Sequence, residues 1–368
     1  MKFNRYALSD LATIKYGKNQ KKVLSESGNI PIYGTGGLMG YATTALYDKP
    51  SVLIGRKGTI GKVKYVEHPF WTVDTLFYTI VNTDIVLPKY LYYVMSLIDL
   101  NNYNEGTTIP SLRTETLNRL EFDIPSLEEQ ETILSCLNPI DEKIALNNAI
   151  NNNLEQQAQA VYYKMFSEVN NVPVELSSII DVRDGTHDSP KAQATGYYLI
   201  TSKHLLPFGV DKASANHISK ADFDKINERS LVETQDILMS MIGTIGLISY
   251  IPYETVDFAI KNVALFKTSH TPELAYYFLC YLKSEKTLQH IGKCLAGSTQ
   301  KYISLGELRK MPIYSPTTNE IQEFNCLVKP MFEKIVSRTY ENALLAEMRD
   351  SLLPKLMSGE LDVSNIDL

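Results

Sequence analysis

Apolar residues recur at alternating steps of four and three along two stretches of this chain, for more than four heptads in each. In the first stretch the positions are Ile133, Leu137, Ile140, Ile144, Asn147, Asn151, Leu154, Ala158, Val161 and Met165. In the second they are Phe324, Val328, Met331, Ile335, Arg338, Asn342, Leu345, Arg349, Leu352 and Leu356, each 191 residues after its counterpart. A 3.5-residue period confines the apolar groups to one stripe of an α-helix, and a second helix with a matching stripe must cover it. Two such helices in one chain are expected to pack on each other as a coiled coil, antiparallel if a pseudo-twofold axis relates them. A helix of ~40 residues is about 60 Å long, so the pair would form a rod between two globular parts.

Both helices open just after a proline, Pro125 or Pro316. Ser126, and Thr317 or Thr318, are the candidate caps, and Glu128, Glu129 and Glu320 fall in first turns, where the helix dipole favours acid. The second helix is expected to end near Gly359. Polar groups interrupt the middle of the seam, Asn147 and Asn151 on one helix and Arg338 and Asn342 on the other. Such groups cost stability but set register and choice of partner. The alternative is that the helix is one-sided there and the run NNAINNN is solvated.

The offset between the seams is part of a wider self-similarity. YALSDLATIKYGK, starting at Tyr6, resembles VELSSIIDVRDGT, starting at Val174; SVLIGRKGTIGKVKYV, from Ser51, resembles DILMSMIGTIGLISYI, from Asp236. From Gly106 onward the offset settles at 191. The matches keep their order, and the offset changes only where loops can absorb insertions, which is the signature of an internal repeat. Within each copy, short β-rich runs bounded by Gly, Pro and Asn precede a helical stretch after a proline, PKYLYYVMSLIDL or PELAYYFLCYLKS. The expected fold class is therefore α+β. A first domain would span residues 1–125, a first spacer helix 126–172, a second related domain 173–316, and a second spacer helix with the C-terminal tail 317–368. The net charge of −6 divides along the same lines, as +3, −5, 0 and −4, so the acidic balance belongs to the helices. A polyanionic partner for the two mixed domains stays open.

No run of about 18 apolar residues is present, which excludes a membrane-spanning helix. The opening MKFNRYALSDLATIKYG lacks an apolar leader segment, which points to the cytoplasm. Cys136, Cys280, Cys294 and Cys326 are scattered with no CxxC spacing, so no zinc site or disulfide framework is signalled. GTGGLMG, from Gly34, has neither the helix-forming run nor the acidic partner of a nucleotide cradle and reads as a turn. No Walker loop, no ExK, no (N/D)PP(Y/F) and no HxH or HExxH spacing occurs. No catalytic residue, metal site or cofactor is expected.

What remains is a binding design. Polar and basic loops recur at matching places, and they supply the candidate DNA contacts. In the first domain these are Lys18, Lys21 and Lys22; Arg56, Lys57, Thr59 and Lys62; and Thr107, Thr108 and Arg113. In the second they are His187 and Lys191, Lys203, and Thr299, Gln300 and Lys301. Lysine and arginine beside glycine turns suit phosphates, while Gln, Asn, His and Arg suit base edges. Singly, each is more often plain solvated surface; recurrence at equivalent loops is what selects them. The second copy has Met241 and Ile242 where the first has Arg56 and Lys57, so its phosphate contacts must come from elsewhere, with Lys191 and Lys203 the candidates.

The paired openings LSDLATIKYGK and LSSIIDVRDGT, the turns RKGTIG and MIGTIG, IPSLEEQETI at the first spacer and the tail LLPKLMSGELDV together resemble the specificity subunits of type I restriction–modification systems. The resemblance covers essentially the whole chain. It implies two target-recognition domains, each reading one half of a bipartite site in double-stranded DNA. It also implies spacer helices that act as a ruler and dock two DNA-methyltransferase subunits, with restriction subunits joining that core. A nuclease or methylase polypeptide is disfavoured by the missing motifs. A free-standing DNA-binding or interaction protein of the same fold is the other reading, and neighbouring genes would separate the two.

Overall fold

The computed structural model describes residues 1–166, 172–296 and 301–363. It divides into two compact units, Met1–Ile144 with Leu344–Leu368, and Ala145–Ala343, so each unit takes in part of both long helices.

In the first unit a four-stranded antiparallel sheet has the spatial order Ala12–Tyr16, Leu76–Val81, Ser51–Gly55, Val63–Val66. The strand Ser51–Gly55 is buried along its whole length, which is why it reads as an unbroken apolar run rather than an alternation. Its one polar side chain, Ser51, is satisfied by donating to the Thr79 carbonyl at 2.7 Å. A three-stranded sheet, Gly37–Ala42, Ile30–Gly34, Trp71–Thr72, packs beside it, with its last pair parallel. The antiparallel pair Asn4–Ala7 and Glu121–Ile124 brings the two ends of the mixed segment together. The helix Pro88–Ser96 starts with proline at its first position, where no N–H is needed, and buries Tyr90, Leu91, Tyr93 and Met95. That core also takes Ile133, Leu134 and Leu137 from the first long helix and Leu353, Leu356 and Met357 from the second.

The second unit repeats the plan. Its four-stranded sheet runs Val182–Asp184, Val263–Phe266, Ile237–Ser240, Ile248–Tyr250. Its three-stranded sheet runs Asn216–Ile218, Tyr197–Ile200, Phe258–Ile260, again with the last pair parallel. Val174–Glu175 pairs with Pro312–Ile313. The duplication extends to single hydrogen bonds. Leu8 N–H donates to the Leu120 carbonyl at 2.8 Å, as Leu176 does to Met311. Leu112 N–H donates to Arg56 at 2.9 Å, as Ile303 does to Met241 at 3.0 Å. The second unit adds a hairpin, Leu205–Leu206 with Gly209–Val210, and the helices Lys220–Ser230 and Glu285–Lys293.

The long helices run Leu127–Phe166 and Thr318–Met357, 40 residues each. Each opens on a capping box. Ser126 N–H donates to Glu129 Oε2 at 3.0 Å while Glu129 N–H donates to Ser126 Oγ at 3.3 Å. Thr317, rather than Thr318, does the same with Glu320 at 2.7 and 3.3 Å. The second helix stops before Gly359, whose φ of 78° ends it in the left-handed region. None of the seam residues is exposed. In the second unit the helices run antiparallel, since Asn147 meets Asn342 while Phe166 meets Phe324, their ring centroids 5.4 Å apart. In the first unit Arg349 Nη1 donates to Asp141 Oδ1 at 3.1 Å. Each helix also carries an interior proline at the matching place, Pro139 and Pro330.

Candidate DNA interface

In the first unit the strands Ala12–Tyr16 and Ser51–Gly55 deliver two of the candidate loops to the same end of the four-stranded sheet, and a bridge sets the third beside them. Gly17, at the end of Ala12–Tyr16, donates its N–H to Leu76, and Lys18 donates to Thr72 at 2.8 Å. A Cβ at Gly17 would lie 2.0 Å from the Val73 carbonyl oxygen, so only glycine lets the loop close against that strand. Trp71 Nε1 donates to the Lys18 carbonyl at 2.8 Å and ties the loop from the other side. Lys18, Lys21 and Lys22 are exposed.

The loop after Ser51–Gly55 turns at Gly58, where φ is 88°, and Gly58 N–H donates to the Pro110 carbonyl at 2.9 Å. Lys57 and Ser111 form an isolated bridge, so this loop and the one carrying Thr107, Thr108 and Arg113 lie side by side. Arg56 is half-buried; its Nη1 donates to the Asp74 carbonyl at 2.9 Å and its guanidinium carbon stands 5.1 Å from the Tyr16 ring centroid. Lys57, Thr59 and Lys62 are exposed, as are Thr107, Thr108 and Arg113. Arg113 Nε is 3.1 Å from Glu105 Oε2, so that cation is partly neutralised. The turn Gly34–Gly37 faces Thr59, Lys62 and Lys64 across a cleft of about 340 Å³. Lys64 was not legible as a site residue, because it sits on a strand that reads as ordinary alternation. Its Nζ lies 3.8 Å over the Tyr33 ring, and burial holds its ammonium below the ordinary lysine value.

In the second unit the equivalent of the Arg56–Lys57 turn carries no cation: Met241 is buried and Ile242 bridges to Tyr302. The loop from Gly185 closes as its counterpart does, with Gly185 N–H donating to Val263 at 2.9 Å and Thr186 to Ile260 at 3.0 Å. His187 lies between two oxygens, Nδ1 2.7 Å from Asn262 Oδ1 and Nε2 3.2 Å from Asp184 Oδ2. Asn262 holds a φ of 54° in the turn between Phe258–Ile260 and Val263–Phe266. Arg229, from the helix Lys220–Ser230, donates to the buried Asp184 carboxylate. The loop and this helix enclose a cleft of about 460 Å³ lined by His187, Lys225 and Arg229 among others. Lys191 is exposed just beyond it; Lys203 is exposed in the turn Ser202–His204 and does not line it. Lys301 is exposed beside the Ile242–Tyr302 bridge, whereas Thr299 and Gln300 lie outside the described residues.

The seam residues Asn147, Asn151, Arg338 and Asn342 fall within the second unit. Asn147 is fully buried, and its Nδ2 donates to Asn342 Oδ1 and to Glu341 Oε2, both at 2.9 Å. Asn342 Nδ2 donates to Asn148 Oδ1 at 2.9 Å. One turn further along, the same antiparallel register sets Asn151 opposite Arg338. Asn151 Oδ1 and Arg338 Nη1, an acceptor and a donor, are both buried without a partner among the described residues.

Residues 2–156 and 168–325 each match the model of the type I restriction modification DNA specificity domain. The chain belongs to that family. Specificity subunits are the non-catalytic DNA-recognition components of type I restriction–modification systems. The chain is similar to the type I restriction enzyme MjaIX specificity subunit of Methanocaldococcus jannaschii, 26% identical over 354 residues, covering 87% of this chain and 80% of that one. It is 24% identical over 385 residues to the HindI specificity subunit of Haemophilus influenzae, covering 82% and 84%. The crystal structure of a type I S subunit from M. genitalium shares the fold, with a TM-score of 0.52 over 97% of this chain and 96% of that one at 16% identity. Among the described residues of this specificity-family chain, no helix is long and apolar enough to cross a membrane. None of their His, Cys, Asp and Glu side chains form a group able to hold a metal ion.

Proposed function

We propose that this chain reads a bipartite site in double-stranded DNA, one half with each domain, as a cytoplasmic specificity subunit. The single observation that carries the reading is a frame duplicated down to individual hydrogen bonds, with different side chains on its equivalent loops. Leu112 to Arg56 and Ile303 to Met241 are the same backbone bond, yet one turn presents Arg56 and Lys57 and the other Met241 and Ile242. Two readers of different half-sites require a retained scaffold with divergent contacts. In the first domain Lys18, Lys57, Thr59 and Lys62 serve the backbone and the edge of the duplex. The paired helices set the separation of the half-sites and dock two DNA-methyltransferase subunits, to which restriction subunits attach. The buried Asn147–Asn342 pair fixes their register.

Methylome sequencing of cells with and without this gene tests the reading. A methylated motif of two short half-sites around an unread gap should be lost with the gene. An unchanged methylome in a strain that expresses the chain together with active modification subunits would overturn it.

A further inference from the structure

The geometry points to Arg229 and Lys225, on the helix Lys220–Ser230, as the cations with which the second domain grips the DNA backbone. They replace the Arg56–Lys57 pair that this domain lacks. The inference rests on the DNA-reading function above and assigns the residues that perform it in one half.

The strand Ala12–Tyr16 ends with Tyr16 opposite Phe77, and the strand Val182–Asp184 ends with Asp184 opposite Ala264. Each is followed by a glycine whose N–H donates to the neighbouring strand at 2.9 Å. Tyr16 and Asp184 are therefore the same place in the two copies. On Tyr16 rests the Arg56 guanidinium, carried there by the turn after Ser51–Gly55. At the corresponding turn Met241 is packed into the core, 5% exposed. Asp184 instead receives the guanidinium of Arg229. That arginine comes from a helix with no counterpart in the first domain, so a cation lost from the turn is returned to the same spot from another direction.

The surroundings fit a phosphate. The Arg229 side chain is 63% exposed although its partner Asp184 is buried, so the guanidinium keeps donors toward solvent while the carboxylate holds its aim. Lys225 lies one helical turn earlier, on the same face and exposed. Both border the 460 Å³ cleft whose other wall is the Gly185–Pro190 loop. Of the carboxylates on the helix, Asp222 lines the cleft, and Ser219 Oγ donates to it at 2.7 Å at the N-terminus.

The test measures binding of the full-length chain to a random-sequence 40-base-pair duplex across a salt series. Lys225→Gln should flatten the dependence of log affinity on log salt by about one unit, as is expected of Arg56→Gln in the other domain, and Arg229→Gln should flatten it by less, because Asp184 shares its charge. Lys225→Gln touches nothing buried and keeps the test clear of folding defects. The double change Asp184→Asn with Arg229→Gln removes both charges together and serves the same purpose for Arg229. Flattening by Arg56→Gln but not by Lys225→Gln or the double variant overturns this inference and leaves the DNA reading standing. A wild-type chain without salt-dependent binding, or one in which none of the variants changes the slope, overturns both.

Discussion

Asn147 is fully buried between the two long helices, where its side-chain amide donates to Oδ1 of Asn342 at 2.9 Å. A hydrogen-bonded pair in an apolar seam contributes little net stability, but breaking one half of it leaves the other unpaired. Asn147→Leu alone should therefore cost about 1–3 kcal/mol, the desolvation penalty of a stranded polar group. Asn147→Leu with Asn342→Leu should recover that loss or raise stability above wild type, while admitting alternative registers. Thermal unfolding with light scattering checks both parts. A double variant less stable than the single one would show that the pair is not a register device.

The capping boxes should behave as equivalents. Ser126→Ala and Thr317→Ala each remove the side-chain acceptor for an orphan N–H and should each cost about 0.5–2 kcal/mol. They also bear on acid stability. At Glu320 the Thr317 backbone hydrogen bond leads the effects that hold the carboxyl below the ordinary glutamate value. At Glu129 burial acts in the raising direction, and the hydrogen bonds from Ser126 and Lys2 outweigh it, so that carboxyl is also lowered. A folded pKa below the unfolded one gives stability that is present above about pH 4.3 and lost as pH falls through the folded value. Chemical denaturation between pH 3 and 6, in roughly unit steps, should show a shallower acid limb in both alanine variants.

Arg113 and Lys57 are neighbours in the first domain, but they should differ in DNA binding. Lys57 is exposed, and Lys57→Ala should flatten the salt slope by about one unit with little change in sequence preference. Arg113 already shares its charge with Glu105, so Arg113→Ala should flatten it less, and Glu105→Gln should strengthen binding. Equal effects of Lys57→Ala and Arg113→Ala would remove Glu105 from the account.

Lengthening the spacer should change the gap between half-sites. Because Asn151 and Arg338 face each other, a heptad added after Asn151 must be matched by one before Arg338 if the seam is to stay in register. Seven residues add roughly 10 Å, or about three base pairs. The paired insertion should leave both half-sites unchanged and lengthen the unread gap, as read by methylome sequencing. The insertion in one helix alone should cost stability, because it forces the Asn147–Asn342 bond out of register with the rest of the seam. An unchanged gap in an active double insertion would mean that the helices do not set it.

Much of this was legible because helical seams, caps and glycine turns are local. The seam positions emerged from spacing alone, and the repeat located equivalent loops without any structure. The cap ambiguity between Thr317 and Thr318 could not be broken by residue type, since both are threonine; the reach of Glu320 decides it. Arg229 was hidden for a different reason. Its helix, KADFDKINERS, is an insertion, and comparing the chain with itself cannot flag a segment that has no counterpart. Its role arises from a contact to Asp184 across 45 residues, which no spacing rule connects. Lys64 was hidden by its place in a strand, where its ring partner Tyr33 comes from another sheet.

Pro139 and Pro330 give the spacer a mechanical character. A proline within a helix removes the hydrogen bond to the carbonyl four residues earlier, here Ser135 and Cys326, and crowds that carbonyl outward. Bending compliance then concentrates at those points instead of being spread along the rod. Each lies between the first turns of its helix, which anchor into a domain core, and the part that carries the rest of the seam. Within each helix, a bend is therefore expected first near Pro139 or Pro330, close to the end that packs into its own domain core.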